Sequence, residues 1–185
     1  MTHTLLFWLS LAVLLFWALG AYNRLVRLRA RVIGAFAAVD QRLMQVLPLV
    51  SERAAVRRAQ PATVDPVAGA QSVHADVDAS LDGLRGASIQ FEVALRVARK
   101  SPLDAPSMAA LRTACATMQV SWERSQAQPD EALSANQRAW EDNQQASNEA
   151  LESFNQSVAI YNRAIAQFPA VVLAYFFGFR AADCL

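Results

Sequence analysis

Leu5 to Tyr22 reads LLFWLSLAVLLFWALGAY, eighteen residues without a charge. As a helix rising ~1.5 Å per residue, the run is roughly 27 Å long, close to the ~30 Å hydrocarbon thickness of a bilayer. It predicts a transmembrane helix and forces the rest of the chain to start at one membrane face. A cleaved signal peptide is the rival reading, since Ala18-Leu19-Gly20 offers small residues to a peptidase. Against it, the residues ahead of the run hold only His3 and the α-amino group where a basic n-region belongs. Arg24, Arg27, Arg29 and Arg31 follow directly, and basic flanks stay on the cytoplasmic side. The expectation is a single pass of the cytoplasmic (inner) membrane, with the N-terminus outside and everything after residue 22 in the cytoplasm.

The formal charge of +1 hides an asymmetry. Residues 24–58 carry eight Arg against Asp40 and Glu52, net +6, whereas 59–185 carry nine basic and fourteen acidic residues, net −5. The basic part is the one beside the membrane, where each Arg near anionic head groups is worth around 1 kcal/mol. The acidic remainder repels phosphate, so nucleic acid is not an expected partner. Cys115 and Cys184 are far apart and stand without metal-ligand spacing, so neither a disulfide framework nor zinc is suggested.

Beyond the membrane run, Val32, Phe36, Val39, Leu43, Val46 and Val50 recur at steps of four and three, one apolar seam along a helix that continues the transmembrane one. Pro48 lies inside this rhythm and predicts a bend rather than a stop. QPATVDPVAG, 60–69, ends the helix. A second seam, Val77, Leu81, Leu84, Phe91 and Leu95, is weakened by Gly83 and Gly86. SPLDAPS, 101–107, is a connection in which Asp104 or Ser107 caps the next helix, whose seam is Met108, Leu111, Cys115, Met118 and Trp122. After QAQPD a long helix runs from near Glu131 to Phe168, with Leu151, Phe154, Val158, Tyr161, Ile165 and Phe168 as its seam. No period-two run indicates a sheet. The fold class is therefore all-α: one N-terminal transmembrane helix continuing into an up-and-down antiparallel four-helix bundle, with a short C-terminal apolar helix. Residues 1–22 form the outer tail and span, 23–168 the bundle, and 169–185 an apolar membrane-proximal segment.

YNRLVRLRARV, AFAAVDQRL, LPLV and the closing FNQSVAIYNRAIAQFPAVVLAYFFGF together resemble the LemA family, bacterial proteins with one N-terminal membrane helix and a helical bundle. The most specific part is the order Phe154-Asn155, Tyr161-Asn162, Phe168-Pro169 and Gly178-Phe179, with Phe154 where Tyr is usual. The likeness covers about 30 residues at each end and describes a divergent member, since 51–130 shows no matching motif. It implies a fold and an address, and no established reaction.

Chemistry is sparse. His74 has only Asp76 and Asp78 near it in sequence, off its helix face. Glu149 and Glu152 share a face but lack the Glu-x-x-His partners of a bundle metal site. No phosphate loop or nucleophile elbow occurs, so no catalytic residue, metal or cofactor is expected. Asn148, Asn155 and Asn162 repeat every seven residues, either as a ladder toward a partner helix or as a half-exposed flank. AVVLAYFFGF, 170–179, is too short to cross a bilayer. It either packs on the base of the bundle or lies in the interface with Tyr175, Phe176, Phe177 and Phe179 at head-group depth, beside the polar end Arg180 and Asp183. The candidate partner or lipid contacts are Tyr22, Asn23, Arg24, Arg27, Arg29, Arg31, Asn155, Tyr161, Asn162, Phe168, Pro169, Tyr175, Phe176, Phe177 and Phe179. The expected function is a non-enzymatic membrane-tethered scaffold or accessory subunit whose partners are the lipid bilayer and a membrane protein or a second copy. A sensor that binds a small ligand, and less so an enzyme, are the alternatives.

Overall fold

The computed structural model describes the backbone of residues 2–59, 68–126 and 133–185, with side chains at positions 4–59, 78–126 and 133–185. Among the described residues the fold is all-helical, without strands: α1 Thr2–Met44, α2 Val46–Ala59, α3 Ala68–Lys100, α4 Ala105–Ser125, α5 Ser134–Ala166 and α6 Ala170–Phe177. Among the described residues one helix is apolar and long enough to cross a membrane, and no residue of its most apolar stretch is buried.

α1 and α2 run on as one rod with a single break at Gln45. The regular pattern breaks at Gln45, whose N–H donates to Arg42 O at 3.1 Å in a tighter i→i−3 turn. The cause is Pro48, which has no N–H for the carbonyl of Met44 and whose ring crowds that carbonyl. The seam nevertheless crosses the break: Val32, Phe36, Val39, Leu43, Val46 and Val50 are all buried.

α5 runs antiparallel to this rod. Phe36 meets Phe154 edge-on at 5.8 Å, Asn143 bonds the backbone at Arg42, and Asn136 bonds Leu49 O, so positions rise on one helix as they fall on the other. α3 and α4 pack mainly on each other, joined by a short connection. Asp104 caps α4 as the sequence suggests, accepting from the N–H of Ser107 at 3.1 Å and from its hydroxyl at 2.6 Å. Leu84, Phe91, Leu95, Met108, Leu111, Met118, Trp122, Phe154, Val158 and Tyr161 join the α1–α2 seam in one continuous core.

Several expectations need correction. The expected second helix is present as α3, which persists through Gly83 and Gly86 to Lys100 with its buried stripe on α4, whereas other details differ. In α4 it is Ala114 that is fully buried, with Cys115 only partly so. α5 ends at Ala166, two residues before Phe168, and Phe168 is 74% exposed rather than a seam residue. Glu131, the expected start of α5, lies outside the described residues, as do the side chains of His3, His74, Asp76 and Val77.

Candidate membrane-facing site

The chain turns a corner where α5 meets the level of the apolar run. Gln167 leaves the helix in extended geometry (φ −87°, ψ 141°), and Pro169 cannot donate to continue it. α6 then departs at 98° to α5. α6 stops at Gly178, the one positive-φ residue among those described (φ 69°), and Phe179 N–H returns to Ala174 O at 2.9 Å in a Schellman-type closure.

α6 turns its small residues inward. Ala170 and Ala174, one turn apart, are buried, and Ala170 joins Leu25 and Ala164 in a small cluster. Its large residues point away: Tyr175 is 86% exposed, Phe176 76% and Phe177 61%, with Val171 and Val172 also open. Aromatic contacts set the level of this helix along α1. Phe168 lies 5.4 Å from Trp17, and Tyr22 lies 5.0 Å from Phe177 and 6.1 Å from Phe179. The uncovered aromatic face of α6 therefore sits level with the last turn of the apolar run, and α6 lies crosswise to it.

Just beyond that level Arg24, Arg27, Arg29 and Arg31 are all exposed, as is Asn23. Arg29, Lys100 and Arg180 converge from α1, the end of α3 and the C-terminal tail on an open cleft of about 340 Å³ that also includes Tyr161. The Tyr161 phenol is pushed above its usual range by burial, and the positive charge of Arg29 partly offsets this. Tyr161 thus stands level with Arg29, two turns farther along α1 than Tyr22.

The segment after Gly178 folds back along α5. Tyr161 Oη donates to Arg180 O at 3.1 Å. Asn162 Nδ2 donates to Ala182 O at 2.8 Å while its Oδ1 accepts from Ala182 N–H at 2.9 Å. Asn155 makes the same pair with Leu185, 2.8 Å to O and 2.9 Å from N–H. Arg112 of α4 donates to Cys184 O. Asn155 and Asn162, both half-buried, thus hold the tail. Asn148, the remaining member of that repeat, is exposed. Residues 169–185 accordingly divide into an uncovered apolar helix and a docked extended tail.

Sequence reasoning missed the far end. Asn143 donates to Arg42 O at 3.2 Å and to Gln45 Oε1 at 3.1 Å, clasping the break in the rod. Asn136 donates to Leu49 O and Glu52 Oε2, each at 3.0 Å. Arg53, 3% exposed, donates to Ser125 O at 3.1 Å and lies 4.6 Å from the centroid of Trp122, which stacks on Trp140 at 3.9 Å. The signal was present: Arg53 continues the Val46–Val50 rhythm, and Asn136, Trp140, Asn143 and Ser147 step by four and three toward Phe154. Polar residues at seam positions are inward-facing ones.

Among the described residues no group of three or more His, Cys, Asp or Glu side chains could hold a metal ion, and Glu149 and Glu152 are exposed. Cys115 is held inert by burial, which pushes its thiol up to about 11. What the geometry offers is an apolar span, a crosswise aromatic helix level with its end, and a basic belt just beyond. No family model, curated protein or solved structure matches this chain.

Proposed function

We propose that this protein is a non-enzymatic, single-pass, membrane-anchored scaffold or accessory subunit of LemA type, its helices forming an up-and-down four-helix bundle at the cytoplasmic face of the inner membrane. The observation that carries the reading is α6: a helix perpendicular to its neighbour, level with the end of the apolar run, exposing Tyr175 and Phe176 while burying only alanines. An uncovered apolar surface of this kind marks a membrane or protein contact, and aromatic residues are favoured at head-group depth. The arginines that follow Tyr22 supply the attraction to anionic lipid and the topogenic signal. α6 acts as a foot in the interface, and the bundle above it presents a surface to a membrane protein partner or a second copy.

The test is a nitroxide at position 176 of the full chain in liposomes, read for depth by its relative accessibility to oxygen and to a water-soluble relaxant. The expected result is a label below the phosphate level. A label as water-accessible as one at Glu149 would remove the interfacial foot. A second reading, a sensor for a small anion, is favoured by the cleft at Arg29, Lys100 and Arg180; it takes precedence if a soluble phosphate ester raises thermal stability in neutral detergent and an Arg29→Ala substitution abolishes the effect.

A further inference from the structure

An asparagine side chain carries the same donor and acceptor pair as a peptide unit, so it can bond both main-chain groups of one residue at once. Asn155 and Asn162 each do this, to Leu185 and Ala182. The spacing is matched: seven residues of helix advance ~10.5 Å, and three residues of extended chain cover about 10 Å. Tyr161 and Arg112 add bonds to the carbonyls of Arg180 and Cys184. All six bonds go to main-chain atoms of the tail. Side-chain selection is confined to Ala182, 3% exposed and part of the core, and to Leu185, partly buried against it, while Arg180, Ala181, Asp183 and Cys184 face outward.

We propose that Asn155 and Asn162 form a track for extended main chain, and that residues 180–185 of a second copy of this chain can occupy it in exchange for the resident tail. Recognition through main-chain groups does not distinguish one copy's tail from another's, so a reciprocal exchange conserves every bond. The held residues begin at Arg180, after the Phe179 N–H that closes α6 on Ala174 O, so the tail can leave with that closure intact. Two copies anchored in one membrane meet at high effective concentration, and exchange of an identical element is a low-cost route to a symmetric pair. The inference goes beyond the scaffold reading and does not depend on the depth of α6.

The test mixes two full-length variants in shared liposomes. Ala182→Arg keeps the track and spoils the tail; Asn155→Ala/Asn162→Ala keeps the tail and spoils the track. A photocrosslinker on the exposed Cys184 of the second variant is expected to join the two copies, and yield should fall at least tenfold when the first variant also lacks both asparagines, because four of the six bonds to the tail go with them. Crosslinking that is absent, or indifferent to the asparagines, overturns the proposal. Should Ala182→Arg fail to fold, the wild-type chain with a spin label on Cys184 is titrated with the peptide FRAADSL. Mobilisation of the label supports exchange, and an unchanged spectrum at millimolar peptide refutes it.

Discussion

Replacing Asn143 by alanine removes the clasp on the break in the α1–α2 rod, and the size of the effect follows from its partners. The side chain is 9% exposed and makes three bonds: to Arg42 O at 3.2 Å, to Gln45 Oε1 at 3.1 Å, and from Ser147 Oγ at 3.4 Å. A neutral hydrogen bond is worth about 1 kcal/mol net. Arg42 O keeps the N–H of Gln45 and is not orphaned, and the Ser147 bond is long, so the expected loss is about 2 kcal/mol rather than three full bonds with desolvation. For a chain of this size that corresponds to a fall in Tm of about 4–8 °C. Asn148→Ala is the control, because Asn148 is exposed and surface changes of that kind stay within about 0.5 kcal/mol. The assay is thermal unfolding of the full chain in nanodiscs by circular dichroism. Equal shifts for the two substitutions would refute the assignment of Asn143 as the clasp.

Phe154→Ala should cost roughly 3–5 kcal/mol, measured by the same melt, because the ring is 0% exposed and packed against Phe36. Gly178→Ala meets open space but must hold φ 69°, so the expected cost is backbone strain of about 1 kcal/mol with an unchanged α6 helix signal. A thiol reagent at pH 8 should modify Cys184 and spare Cys115. Burial raises the Cys115 thiol to about 11, which favours the protonated form in the folded chain; this stabilising term is complete below the ordinary thiol range and is lost as pH rises through about 11. In intact cells a membrane-impermeant reagent should reach a cysteine placed at Thr4 and miss Cys184; the reverse pattern would invert the proposed topology.

Where apolar periodicity governed, the sequence was legible. The seam from Val32 to Val50 is buried throughout, the helix breaks for one residue near Pro48 without ending the rod, Asp104 caps α4, and the chain turns at Pro169. Legibility failed where polar groups do the packing. Asn136, Asn143 and Arg53 occupy seam positions, but a polar residue in an apolar rhythm reads as a gap until the opposing carbonyls are in view. The docked tail was hidden for another reason. Its bonds are made by main-chain atoms, which every residue possesses, so no side-chain pattern in 180–185 announces them. Phe168 misled because it continues the α5 rhythm on paper, while the helix that would have buried it has already ended.

The rod that begins with the apolar run does not stop where that run ends. From Asn23 to Ala59 it continues for ~55 Å by helical rise, braced along its length by α5 and clasped at its one break. On the proposed membrane anchoring, a braced rod of this kind works as a ruler: it fixes how far from the lipid surface the Trp122–Trp140 stack is carried. Anything that meets this protein at its far end must itself stand at that height, which selects partners by reach before any side chain is compared.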